Sequence, residues 1–184
     1  MVLINSQPVD VPMDRLGGAI SVGEFGSMMK ELFDPETQAQ FEWTKWATLR
    51  GQRMHVYSYR VPLNKSKLTI GYERVQHVTV GYSGLVYIDR DSRTVARITQ
   101  EGEAIPASFP IQQVSRTLDY DLVPIGEAQF MLPLKFTTRM RQAKLLVKND
   151  VEFRMYRKFG AEAVIKFETP EPLPDEKTKE QPPQ

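Results

Sequence analysis

The chain reads as a mainly β protein of the α+β type: a curved antiparallel meander sheet, an incomplete barrel, packed on one amphipathic helix. Three observations predict this. From residue 41 onward apolar and polar residues alternate with a period of two, the mark of strands with one buried and one wet face. The joins between these runs are short and rich in turn formers, which favours pairing of sequential strands. Only one segment, 21–33, carries helical periodicity.

The first residues, "VLIN" followed by "SQPVD", read as the end of a strand entering a turn, with nothing before it to pair with. In "SVGEFGSMMKELF", Ser21 and Glu24 have capping-box spacing, so hydroxyl and carboxylate can each satisfy an orphan backbone N–H. Phe25, Met28, Met29, Leu32 and Phe33 then follow at i, i+3, i+4, i+7 and i+8 as one apolar stripe. Gly23 and Gly26 lower the intrinsic propensity, so packing must hold this helix. Pro35 ends it, and Asp34-Pro35-Glu36 suits the start of a further short helical turn.

Strands follow. "QFEWTKWATLRG" and "RMHVYSYRV" meet at a hairpin-like corner at Gly51-Gln52, and "KLTIGY" and "VQHVTVGY" join at Glu73-Arg74. "GLVYID", "TVARITQ", a proline-containing segment around "AIPASFPI", and "SRTLDYDLV" come next. In "FMLPLKFTTRMR" strict alternation puts Phe130, Leu132, Leu134, Phe136, Thr138 and Met140 on one face. In "LVKNDVEFRMYRKF" Leu145, Val147, Val151, Phe153, Met155 and Phe159 share a face, and "EAVIKF" supplies a last strand. The sum is roughly eight or nine strands, and a sheet that long twists and curls, with the helix as the natural plug of its concave face. A single domain thus spans 1–168; residues 169–184, rich in proline and alternating charge, form a disordered tail.

Composition narrows the function classes. The chain has 184 residues, 41% of them hydrophobic, enough for one domain with a true core. Lys plus Arg total 24 and Asp plus Glu 23, a net charge of +1, which argues against a dedicated nucleic-acid binder. With no cysteine, disulfides, thiolate metal sites and cysteine nucleophiles are excluded. The first residues carry no signal-peptide pattern, and no apolar run approaches the roughly 18 residues of a membrane span.

Chemistry-bearing constellations are sparse. Asp89 and Asp91 form a D-x-D pair that could offer oxygen ligands, but "GLVYI" before and "TVARI" after are strands. The pair therefore reads as a hairpin corner whose aspartate and serine cap their own backbone. His55 and His77 lie within strands and show no metal-ligand spacing. "GYSG" at 81–84 is followed by a strand rather than by the helix a nucleophile elbow needs. The glycines of "LGGAISVGEFG" lack the lysine of a phosphate loop. The basic residues Arg139, Arg141, Lys144, Lys148, Arg154, Arg157 and Lys158 alternate with apolar ones and read as a solvated outer face. No catalytic residue, metal or cofactor is expected, and the chain is not read as an enzyme.

The lines "GYSGLVYIDRDSRTVARI", "TLDYDLVPIGEAQFMLPLKFTTRMR" and "NDVEFRMYRKFGAEAVIKF" resemble uncharacterised exported bacterial proteins and, more broadly, the lipoprotein-sorting (LolA/LolB/RseB-type) architecture. The resemblance covers most of residues 11–168. It implies an incomplete barrel wrapped around helices with an apolar cavity, a place in the periplasm or cell envelope, and N-terminal strands that are not expected in this sequence. On that footing the expected function is non-catalytic: a cell-envelope module holding a lipid, acyl chain or other hydrophobic ligand in the concave face, with a lipoprotein as a further partner. The expected ligand-binding residues are Phe25, Met28, Met29, Leu32 and Phe33 on the helix, with Trp43, Trp46, Phe130 and Phe136 on strands. The alternative is a structural or protein-interaction domain with no ligand cavity.

Overall fold

The computed structural model describes residues 2–4, 7–10, 26–73 and 75–158. Among these residues the strands are β1 (Val2–Ile4), β2 (Gln7–Val9), β3 (Gln40–Leu49), β4 (Gln52–Val61), β5 (Thr69–Tyr72), β6 (Gln76–Thr79), β7 (Gly81–Asp89), β8 (Val95–Glu103), β9 (Gln113–Ile125), β10 (Ala128–Gln142) and β11 (Leu145–Glu152), and a helix, α1 (Ser27–Leu32), lies between β2 and β3. Among the described residues, seven strands make one antiparallel sheet in the order β11-β10-β9-β8-β7-β4-β3, not closed into a barrel. The mainly β, antiparallel class read from the alternation is what the chain adopts.

Local chemistry explains the corners. The β3–β4 hairpin turns on Arg50 and Gly51, at φ 51° and 78°. Two successive left-handed residues match the right-handed twist of the flanking strands, and glycine at the second position carries no Cβ penalty. The strand at 2–4 pairs forward with β2, so it finds its partner after the turn rather than before it.

Two expectations need correction. The helix does not begin at residue 21: Gly26 has φ 90°, outside the helical region, and α1 starts at Ser27 with Lys30 N–H donating to the Gly26 carbonyl. Ser21, Glu24 and Phe25 lie outside the described residues, as do the "EAVIKF" strand and the 169–184 tail. The short turn after the helix is as expected, a 3-10 helix at Pro35–Thr37 with the Asp34 carboxylate accepting from Glu36 N–H. Nor is the sheet a simple meander. β4 skips to β7, and β5–β6 stand apart as a two-stranded sheet. Pro62, which lacks an N–H for a ladder, follows the end of β4, and the chain then turns through a 3-10 helix at Leu63–Lys65. Leu68, Ile70 and Val80 around that hairpin are buried.

The main core lies on one face of the sheet. Tyr59, Val61, Tyr82, Val86, Ile98, Leu118, Phe136 and Met140 pack there with Met28 and Leu32 of α1, with the β5–β6 hairpin, and with Phe109 and Ile111 from the β8–β9 connection. Burying a side chain such as Leu32 contributes roughly 2 kcal/mol. The opposite face is mostly polar, with a small apolar cluster of Met54, Val56 and Ala96 flanked by Ala47, Leu49, Leu85 and Tyr87.

The sheet curls toward that second face. The Arg50 guanidinium donates to the carbonyls of Tyr120 (2.6 Å) and Ala96 (3.2 Å) and lies 3.4 Å from the Asp121 carboxylate. In a flat sheet β9 would run three spacings of about 4.8 Å from β4, further than an arginine reaches, so the β3–β4 tip must fold over. The helix therefore covers the face away from this curl, not its concave side.

Bulges decide which residues share a face. Thr44 is an extra residue between Trp43, opposite Tyr57, and Lys45, opposite Val56. Leu134 is extra between Pro133, opposite Tyr120, and Lys135, opposite Asp119. Each shifts the alternation by one. Phe136 therefore faces the main core, while Phe130 and Leu132 turn to the opposite face. The single face expected for residues 130–140 is corrected accordingly.

Candidate functional site

The nine residues expected to line a cavity do not converge. Met28, Leu32 and Phe136 are 4%, 2% and 1% exposed, within the main core, and Met29 packs against it. Phe130 sits opposite Val123 on the β9–β10 ladder and is exposed. Phe25 is outside the described residues. Two open clefts, of about 440 and 320 Å3, are lined by other residues, mostly of β8 to β11, in a mixture of charged, polar and apolar side chains.

The remaining three do come together, with a fourth that the sequence reading missed. Phe33, Phe41, Trp43 and Trp46 are 47%, 43%, 49% and 41% exposed, and form a strip along the edge strand β3. Phe33, just past the end of α1, stacks on Phe41 with ring centroids 5.6 Å apart and planes within 6°. Phe41 in turn lies 6.0 Å from Tyr59, joining the strip to the core. Trp43 and Trp46 meet edge to face at 6.5 Å. A spacing of three would place them on opposite faces of a regular strand; the Thr44 bulge returns Trp46 to the face of Trp43. The Thr44 hydroxyl accepts from Ser58 N–H at 3.1 Å and so holds the bulge. Phe41 was legible as the i−2 neighbour of Trp43, since alternation gives both the same face.

Trp46 is braced from β4. His55 lies directly opposite it, ring centroids 4.1 Å apart, and the Arg53 guanidinium sits 4.3 Å above the indole. Such a cation–aromatic contact contributes about 0.5–1 kcal/mol at an exposed site and fixes the indole's orientation. Among the described residues, His55 and His77 make no hydrogen bond to a carboxylate, and no group of three or more His, Asp or Glu is arranged to hold a metal ion. What the strip can offer chemically is dispersion, stacking and apolar burial.

The aspartate pair is a corner. Asp89 Oδ1 accepts from Asp91 N–H (3.0 Å), Ser92 N–H (2.7 Å) and the Ser92 hydroxyl (2.9 Å), while Asp91 pairs with its neighbour Arg90. The Ser92 backbone N–H above all, with the Ser92 hydroxyl and the Asp91 N–H, holds the Asp89 carboxyl below its ordinary pKa despite partial burial. The depressed pKa means that this turn's stabilisation is full above the unfolded aspartate range and is lost as pH falls through the folded value. Asp89→Ala should cost about 1 kcal/mol at pH 7 in urea unfolding. The difference from the unsubstituted chain should shrink at acidic pH. An equal cost at both pH values would contradict this account.

No family model matches the chain, and no curated protein or solved structure matches it. The lipoprotein-sorting resemblance is thus carried only by the sequence lines quoted above. Among the described residues, no helix is long and apolar enough to cross a membrane.

Proposed function

We propose that the protein is a non-catalytic binding module that holds a lipid, acyl chain or other hydrophobic ligand on the aromatic strip of β3, rather than inside a closed cavity. One observation carries this reading: two aromatic pairs, Phe33–Phe41 and Trp43–Trp46, stand roughly half exposed along one side of β3, braced by Tyr59, His55 and Arg53. Large aromatics stacked in contact and held from beneath lose little entropy when a partner covers them, and each brings a large apolar area. Met28, Leu32 and Phe136 lie in the packed core instead of lining the ligand. A place in the cell envelope rests on the family resemblance alone.

The test uses an internal probe. The chain has two tryptophans, and both belong to the strip. Titration with a fatty acid or with phosphatidylcholine vesicles should shift tryptophan emission to the blue in a saturable way. Trp43→Ser should weaken binding by about 10-fold or more, as expected for an aromatic anchor. Its urea midpoint should barely move, because the side chain is half exposed. Unchanged emission with both probes, together with no co-purified lipid by mass spectrometry, would sink the proposal.

A further inference from the structure

The cation above Trp46 has no acidic partner, although acidic residues are close by. Arg53 is exposed on β4. Among the described residues its guanidinium contacts the indole, 4.3 Å from the ring centroid, and makes no ion pair or hydrogen bond. Its backbone meets the β7–β8 corner, where Arg90 N–H donates to the Arg53 carbonyl at 3.0 Å. The carboxylates of that corner are engaged: Asp89 accepts from its own turn, and Asp91 pairs with Arg90 at 2.7 Å. Glu42, the acid of β3, alternates with Phe41 and Trp43 and faces the other way. The far end of the strip differs. Phe33 is followed by Asp34, whose carboxylate lies 3.4 Å from Lys67. The two aromatic pairs thus run from an unpaired cation, at Trp46, to an ion pair, at Phe33.

We infer that the Arg53 end is a headgroup site, and that the strip takes a long-chain carboxylate whose head pairs with Arg53 and whose acyl chain lies over Trp46 and Trp43 toward Phe41 and Phe33. This rests on the strip being the binding surface proposed above; it adds the class of ligand and the direction in which it lies. A guanidinium presents a planar fork that meets a carboxylate through two parallel N–H···O bonds. The indole holds that fork in place without supplying an acceptor oxygen, so its donors remain for one, and less freedom is lost when a head arrives. At the Phe33 end the Asp34 carboxylate repels an anionic head, which sets the direction. Phe41 and Trp43, two residues apart on one side of the strand, are about 7 Å apart along it, within reach of one extended chain. An exposed ion pair is weak, so the aromatics supply the affinity and Arg53 the choice among heads.

Headgroup selectivity, read by tryptophan emission on the full chain with each probe below its micelle concentration, tests this. Dodecanoate should bind at least about 5-fold more tightly than dodecanol or dodecyltrimethylammonium. Added salt should weaken dodecanoate and leave dodecanol in place. Arg53→Gln should bring dodecanoate to the affinity of dodecanol, with dodecanol itself changed by less than about 2-fold. Arg53→Lys, which keeps the charge, should keep part of the preference. If Arg53 only braced Trp46, Arg53→Gln would weaken all three probes alike and the selectivity would survive; that result overturns the inference. Equal binding of dodecanoate and dodecanol to the unsubstituted chain also overturns it, and leaves the strip standing as an apolar surface. Binding to phosphatidylglycerol vesicles without any response to dodecanoate replaces the single ligand by a membrane surface and overturns it as well. No response to any of these probes removes the strip as a binding surface and this assignment with it.

Discussion

Gly84→Ala is expected to destabilise the protein by about 3–5 kcal/mol, among the largest effects of any single added methyl group. Gly84 lies in β7, opposite Tyr59 of β4 and opposite Gln100 of β8. A Cβ at this position would fall 1.9 Å from the Thr99 carbonyl oxygen, 2.7 Å from its carbon and 2.9 Å from the Tyr59 hydroxyl. Two of those atoms are backbone in a central strand and cannot swing aside. The Tyr59 side chain crosses the space a side chain at 84 would occupy and donates its hydroxyl to the Thr99 carbonyl at 2.7 Å. Burial pushes the Tyr59 phenol well above its ordinary pKa, so this donor stays protonated at any working pH. Tyr59→Phe, which deletes only the hydroxyl, should cost about 1 kcal/mol and serves as the scale. Urea unfolding of both variants checks the account. A Gly84→Ala cost no greater than that of Tyr59→Phe would show that β8 yields, and that the close approach is not a constraint.

Arg50→Asn is expected to cost about 2–3 kcal/mol, although asparagine suits the turn better than arginine does. Arg50 occupies a left-handed position, φ 51°, at which asparagine is among the best tolerated residues. Turn chemistry alone therefore predicts a gain. The guanidinium, however, latches the β3–β4 tip to the carbonyls of Ala96 and Tyr120 and to Asp121. Ala96 and Tyr120 lie just past the last Arg97↔Asp119 pair of the β8–β9 ladder, where these two strands no longer pair with each other. Removing the donor leaves two carbonyls to find water in a partly buried place and frees the hairpin to swing. Exposure of Met54 and Val56 beneath it would follow, seen as faster amide exchange in β4 than in β9. A neutral or stabilising effect would show that the turn, and not the latch, is why residue 50 matters.

Much of the fold was legible because alternation and turn chemistry are local. The β3–β4 hairpin, the Asp89 corner and the 3-10 turn after Asp34 each depend on residues within a few positions of one another; the hairpin turns at Arg50-Gly51, one residue before the Gly51-Gln52 corner that the sequence suggests. The detachment of β5–β6 was not legible. Its cause is the burial of Leu68, Ile70 and Val80 against residues distant in sequence, while a period-two pattern looks the same in a sheet and in a hairpin lying on it. The helix start was misread because the stripe of apolar residues continues through Gly26, whose backbone does not.

For the candidate site the division is sharper. Composition determined which side chains were available: aromatics concentrated in residues 41–59, no cysteine, and two histidines without acidic companions at ligand spacing. Faces were decided only in three dimensions, by two inserted residues. The Thr44 bulge unites Trp43 and Trp46, which strict alternation would separate, and the Leu134 bulge separates Phe130 from Phe136, which strict alternation would unite. A bulge forms where a neighbouring strand's register requires one more residue, and that register is set by pairing across the sheet. The sequence by itself determined the strands and their chemistry; the tertiary structure decided which of their aromatics face solvent together.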